Sequence, residues 1–175
     1  LVIASLIFNN NFFRLFLLPV LPTFLVALYE DFFQNVRPSI RLIIAFLSGA
    51  LFVGLTGYFM MYVKIPIIDG LLKFNFIALS ITIFAIAGVV NAFNIIDGLN
   101  GLAGGIAFIS FLFLGLAALA SGDRDLAIFA VLVIMALLGF LVHNYPRGKI
   151  LLGDNGAYLL GFLVATYSLL LVYRN

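Results

Sequence analysis

The sequence predicts an all-α, polytopic integral membrane bundle of about six spanning helices. Three observations lead there. Of the 175 residues, 65% are apolar and 9% charged, against about 45–50% and about 25% in a soluble domain. A soluble fold of this size lacks the polar surface to cover so much apolar material. Soluble enzymes, disordered chains and nucleic-acid-binding domains are thereby excluded, so the membrane is an expected partner and nucleic acid is not. The mean hydropathy of +1.27 is also concentrated in apolar runs, and a span needs about 20 residues. Finally, an open chain in hydrocarbon satisfies its backbone only as helix.

Taken in order, Leu1–Phe8 reads as the stub of an earlier span. The first full run is Phe12–Tyr29, where Pro19 and Pro22 predict a kink. Arg41–Phe59, Asn75–Phe93, Gly104–Ala120, Leu126–Val142 and Ala157–Tyr173 follow. With no repeat or low-complexity stretch, residues 1–175 form a single transmembrane domain. The chain begins at Leu1 without a cleavable signal and stops at Asn175 just after an apolar run, so it reads as part of a larger bundle lacking its first and last spans. Cysteine is absent, which excludes disulfides and thiolate chemistry. Tryptophan is absent too, leaving Phe and Tyr for the interfacial belts.

Counting crossings sorts the few charges. If the connection from Glu30 to Arg41 lies on side one, so do Asn94–Gly104 and His143–Gly156. Side one then collects Glu30, Asp31, Asp97 and Asp154, with Arg37, Arg41, Arg147, Lys149, His143 and several asparagines. Side two holds Asp69, Asp123 and Asp125 with Arg14, Lys64, Lys73, Arg124 and Arg174. Basic residues are nearly balanced, so the positive-inside rule gives no orientation.

Three constellations on side one carry chemistry. Glu30 and Asp31 are adjacent acids at a span end. Such a pair binds a divalent cation, serves as a base, or is simply a solvated interfacial loop. Asn91, Asn94, Asp97 and Asn100 recur every three residues and share one face if helical. Polar groups at that depth are expensive, and a charge near a helix centre costs at least about 2.5 kcal/mol. Gly98, Gly101, Gly104 and Gly105 follow, and glycine permits close backbone approach to a ligand. The third constellation, Pro146 to Gly156, is a basic loop leading through Asp154 into a span. A helix start with Arg147 and Lys149 nearby suits phosphate, and Asp154 suits magnesium shared with phosphates. His143 reads as an interfacial hydrogen-bonding group rather than a ligand. Together these groups suit a phosphorylated, metal-bound substrate, with a lipid as its partner.

At these residues the chain resembles the polyprenyl-phosphate N-acetylhexosamine-1-phosphate transferases, glycosyltransferase family 4. That family includes undecaprenyl-phosphate GlcNAc-1-phosphate transferases and phospho-MurNAc-pentapeptide translocase. Residues 91–103 resemble the family's N-A-x-N-x-x-D-G-x-D-G-L-A, and residues 149–161 its K-I-F-x-G-D-x-G-(S/A)-x-x-L-G motif. Residues 30–42 resemble its D-D followed by S/P-x-x-R-L. The resemblance implies transfer of a sugar 1-phosphate from a UDP-sugar to polyprenyl phosphate with release of UMP, for wall polymer or lipopolysaccharide synthesis. It implies a bacterial inner-membrane location, a cytoplasmic site, and Mg2+ as cofactor with Mn2+ as a substitute.

Carried over by residue, Asp31 is an essential acid, a candidate base or a magnesium neighbour, and Glu30 supports it. Asp154 is the metal ligand. Asp97 is a second essential carboxylate, orienting or nucleophilic, with Asn94 positioning it or phosphate. Asn91, Gly98, Asn100, Lys149 and Asn155 are expected at nucleotide and phosphate. Departures are Glu30 in place of Asp, Gln34 in place of an acid, and Asn100 in place of Asp. The rival reading, a transporter or channel, predicts charges near the midplane in repeated halves. Here the acids gather at one face without a repeat. Asp31, Asp97 and Asp154 are therefore expected to line one cavity.

Overall fold

The computed structural model describes residues 11–175. They form α1 (Asn11–Phe33), α2 (Pro38–Thr56), α3 (Pro66–Leu72), α4 (Asn75–Ile96), α5 (Leu102–Ala120), α6 (Arg124–Asn144) and α7 (Gly153–Arg174), with no strand among the described residues. All but α3 are long and apolar enough to cross a membrane. The chain is a multi-pass membrane protein. The stub expected at Leu1–Phe8 lies outside the described residues.

Helix ends differ from the apolar runs because polar residues continue a helix where hydrocarbon stops. Thus α1 runs past Tyr29 and carries Glu30 and Asp31 in its last turn, not in a loop. Likewise α4 reaches Ile96, and α7 starts at Gly153 rather than Ala157. Pro38 opens α2 ahead of the expected Arg41, since its fixed φ suits a first helical position. The same helix closes before Phe59 because Gly57 turns left-handed (φ 69°) and its N–H bonds Val53 O at 2.8 Å. The short α3 was not expected. Pro66 starts it, and Asp69 Oδ1 accepts from Val63 N at 2.7 Å to hold the preceding turn.

The central helix is α7. Buried residues make up 56% of its span, against 28–33% in the others. It packs on α1, α4 and α5, while α5 pairs with α6 and α2 with both α1 and α4. Small residues set the closest approaches. A Cβ on Gly161 would stand 2.8 Å from Val90 Cα on α4, and one on Gly115 would stand 2.8 Å from Ala130 Cβ on α6. Aromatic rings fill the rest, with Phe16 and Phe129 at 4.5 Å and Phe111 edge-on to Tyr167 at 5.4 Å. Tyr167 donates its hydroxyl to Leu126 O at 2.9 Å, which satisfies a buried polar group in the core. Where α1 carries its prolines, Thr23 N donates to Ser48 Oγ of α2 at 3.2 Å. Large rings such as Phe84 and Phe113, about two-thirds exposed, face outward where lipid covers them.

The crossing count holds at both ends. On side two, Arg174 Nε meets Asp123 Oδ2 at 2.9 Å, joining the end of α7 to the start of α6. Asp123 also caps α6 by accepting from Leu126 N at 3.2 Å. The three motif loops lie at the other end.

Candidate active site

The first motif folds back on itself. After α1, Gln34 adopts a left-handed conformation (φ 49°) and the chain reverses. Glu30 Oε2 accepts from Val36 N at 2.7 Å, which fixes the reversal. Pro38 then starts α2, so Arg41 stands one turn into that helix and faces back toward α1. Its guanidinium lies 3.8 Å from Glu30 Oε1 and forms a direct ion pair with Asp154 Oδ2.

The third motif supplies Asp154 at the start of α7. That helix has no cap of its own, because Leu152 precedes it and offers no side-chain acceptor. Asp31 fills the role from α1. Its Oδ1 accepts from Asp154 N at 2.8 Å and its Oδ2 from Asn155 N at 3.0 Å. Gly153 makes the approach possible. Its φ of +71° disfavours a side chain, and a Cβ there would stand 2.9 Å from Asp31 Oδ2.

The second motif closes the site. Asn94 Nδ2 donates to Asp154 Oδ1 at 2.7 Å, so Asp154 is held by Asn94 on one oxygen and Arg41 on the other. Asp97 follows the last turn of α4 and accepts no hydrogen bond among the described residues. Burial, then the negative charges of Asp154 and Asp31, push its carboxyl up from 3.8 to about 6.

The remaining expected residues are less uniform. Asn91 sits half-buried on α4 without a hydrogen bond among the described residues. The predicted Asn91-to-Asn100 face is corrected, because α4 ends at Ile96 and Asp97 leaves helical geometry (ψ 33°). Asn100 instead packs its amide on the site a Cβ of Gly148 would occupy. Gly98 borders open space, so no close contact among the described residues requires a glycine there. Gly101 does need one: it is left-handed (φ 82°) with the Tyr145 ring against it. Lys149 is exposed, and its backbone N–H bonds His143 O at 3.1 Å. Asn155 Oδ1 is buried without a hydrogen-bond partner. His143 is exposed, with Nδ1 3.0 Å from Gly139 O.

Two residues have larger roles in the site than the sequence reading gave them. Arg41 matches the R of the first motif, with no site role expected of it. Asn144, 4% exposed at the end of α6, accepts from Gly101 N and donates to Ile150 O at 2.8 Å. It ties the second motif's loop to the third's. A buried amide beside Tyr145-Pro146 was the available signal.

Among the described residues no three acidic or histidine side chains gather closely enough to hold a metal ion by themselves. A cavity of about 1050 Å³ opens at the opposite end between Met60, Lys64, Thr82, Ala165 and Tyr173. It touches none of the motif residues.

Residues 13–172 match the profile of glycosyl transferase family 4, a stretch that takes in every span and all three motif loops. The chain belongs to this family. Among curated family 4 relatives, the probable undecaprenyl-phosphate N-acetylglucosaminyl 1-phosphate transferase of Bacillus subtilis is 33% identical over 129 residues, 74% of this chain and 36% of that protein. The phospho-N-acetylmuramoyl-pentapeptide-transferase of Anoxybacillus flavithermus is 37% identical over 131 residues, 71% of this chain and 40% of that protein. Its Staphylococcus aureus counterpart is 34% identical over 109 residues, 62% and 34% of the respective chains. This family 4 chain thus spans little more than a third of the relatives it matches.

Proposed function

We propose that residues 1–175 form the catalytic membrane domain of an enzyme transferring an N-acetylhexosamine 1-phosphate from a UDP-sugar to polyprenyl phosphate. The observation that carries this reading is the convergence of all three motifs on Asp154, through Asp31, Arg41 and Asn94, at one end of a membrane bundle. The names of the relatives, which specify undecaprenyl phosphate and sugar-phosphate transfer, support it. A site at the end of the spans admits a lipid phosphate laterally and a nucleotide from water. The reading places that end at the cytoplasmic face of a bacterial inner membrane.

In the net reaction, the bond joining UMP to the sugar-bearing phosphorus breaks. A bond from that phosphorus to a polyprenyl phosphate oxygen forms. UMP leaves, and the lipid carries a diphosphate-linked sugar for envelope polysaccharide. Such transfers ask a protein mainly for positioning and charge neutralisation.

Magnesium, replaceable by manganese, suits the donors present. It binds through one or two carboxylates plus substrate phosphates rather than an all-protein cage. Asp154 and the unpartnered Asn155 Oδ1 are hard oxygen donors of that kind. When bound there, the ion neutralises charge on the diphosphate. Asp97 has no hydrogen-bond donor among the described residues and a carboxyl near 6, so it is the acid best placed to hold and release a proton near neutrality. Glu30 keeps Arg41 in line. Asn91, Gly98 and Asn100 are assigned to the nucleotide, and Lys149, on the adjoining loop, to phosphate.

The test is UMP release by the protein in lipid nanodiscs, with UDP-N-acetylglucosamine as donor. Release is expected only with undecaprenyl phosphate and magnesium together, and to be lost in Asp154→Asn and Asp97→Asn. Release that ignores the lipid, or survives both substitutions in folded protein, overturns the reading.

A further inference from the structure

We propose that Asp31 is a positioning residue that caps α7 from α1 and thereby fixes the carboxylate of Asp154. Three features of the geometry support this. Both carboxylate oxygens of Asp31 are committed, at 2.8 and 3.0 Å, to the N–H groups of Asp154 and Asn155. The first N–H groups of a helix lack internal partners, and α7 has no local side chain to supply one. Gly153 leaves the space into which the carboxylate fits, since a Cβ there would meet Asp31 Oδ2 at 2.9 Å.

The consequence separates the acids by task. A general base must reach the proton it removes, at about 2.6–3.2 Å. Any movement of Asp31 toward a substrate proton that breaks the two α7 amide bonds also costs Asp154 the contact that sets its position. A negative charge at a helix start is also favourable where it is. Asp31 therefore acts through Asp154, as the contact that holds the start of α7 in place.

The proposal rests on the transferase reading only for its kinetic arm. The first measurement needs no turnover: hydrogen exchange at the Asp154 and Asn155 amides, in wild type, Asp31→Asn, Gly153→Ala and the double variant. Gly153→Ala disturbs the same contact while leaving every carboxylate in place. Both single variants are expected to speed exchange at these two amides about tenfold, the scale of losing a charged hydrogen bond. The spans should exchange as before, and the double variant should go little further than the stronger single one. In the kinetic arm, both variants should raise the magnesium concentration for half-maximal UMP release by a similar factor, with a smaller loss in kcat.

Unchanged exchange in Asp31→Asn overturns the proposal. So does an Asp31→Asn variant without turnover beside a Gly153→Ala variant with wild-type magnesium dependence. If Asp31→Asn fails to fold, Asp31→Ser, which keeps one acceptor, replaces it in the same comparison. Absence of transfer in the wild type would sink the transferase reading alone, because the exchange result still decides the cap.

Discussion

Arg41 on α2 and Asp154 at the start of α7 form an ion pair across 113 residues of sequence. The pair is mostly buried, with 15% of the Arg41 side chain exposed, and Glu30 stands on its other side. Removing one partner of such a pair leaves an uncompensated charge. Arg41→Ala should lower UMP release at least about 100-fold, the scale of a lost electrostatic contact to developing charge. Both contacts run through the one nitrogen Nη1, and Arg41→Lys should recover little, because a compact, strongly hydrated ammonium suits a mostly buried ion pair less well than a guanidinium. Initial rates check this, and wild-type rates in Arg41→Lys would contradict it.

Asn94 holds the other oxygen of Asp154 with a single amide donor at 2.7 Å. Asn94→Asp replaces that donor with a like charge and should weaken activity more than Asn94→Ala does. Loss of one hydrogen bond to a charged group costs about 1.5–3 kcal/mol. Magnesium titration of the rate should show a raised half-saturation in both variants, the larger in Asn94→Asp.

Asn144 predicts a structural effect with a local signature. Asn144→Ala removes the partner of the Gly101 N–H and the Ile150 C=O, both only partly buried, at a cost toward the lower end of about 1–3 kcal/mol. Thermal unfolding in detergent should shift down, and exchange should rise at Gly101 while the core of α7 stays protected. Asn144→Asp keeps the acceptor and should restore protection at Gly101 only.

The carboxyl of Asp97 should titrate near 6 in metal-free protein, pushed up by burial and by Asp154 and Asp31. The folded protein holds this proton more tightly than the unfolded chain, whose group titrates near 3.8. Ionisation therefore opposes folding, and this contribution to stability falls as pH rises from about 4 to about 6. Carbon NMR of the labelled carboxyl checks the midpoint. Asp154→Asn removes one of the repelling charges and should lower it. A midpoint near 4 in the wild type would contradict the geometry.

Membrane crossing explains why so much of this was legible. Each apolar run carries the chain from one face to the other, so spacing along the sequence becomes sidedness. That brought Glu30, Asp31, Asp97 and Asp154 to one end and put Asp123 with Arg174 at the other. Helix ends were less legible, because Glu30, Asp31 and Gly153 are polar or small yet helical. The seven-residue α3 is too short to show a period. The Asn91-to-Asn100 stripe assumed an unbroken helix, and the turn at Asp97 breaks it. Arg41 and Asn144 act through partners distant in sequence, which spacing does not reveal.

Isotope partition tests the central claim most directly. UDP-N-acetylglucosamine labelled at the sugar-bearing phosphorus, incubated with undecaprenyl phosphate and magnesium, should deliver that label to the lipid phase. Label on the uridine-bearing phosphorus should remain in water as UMP. Sugar reaching the lipid without the labelled phosphorus, or both labels staying in water, would contradict the account.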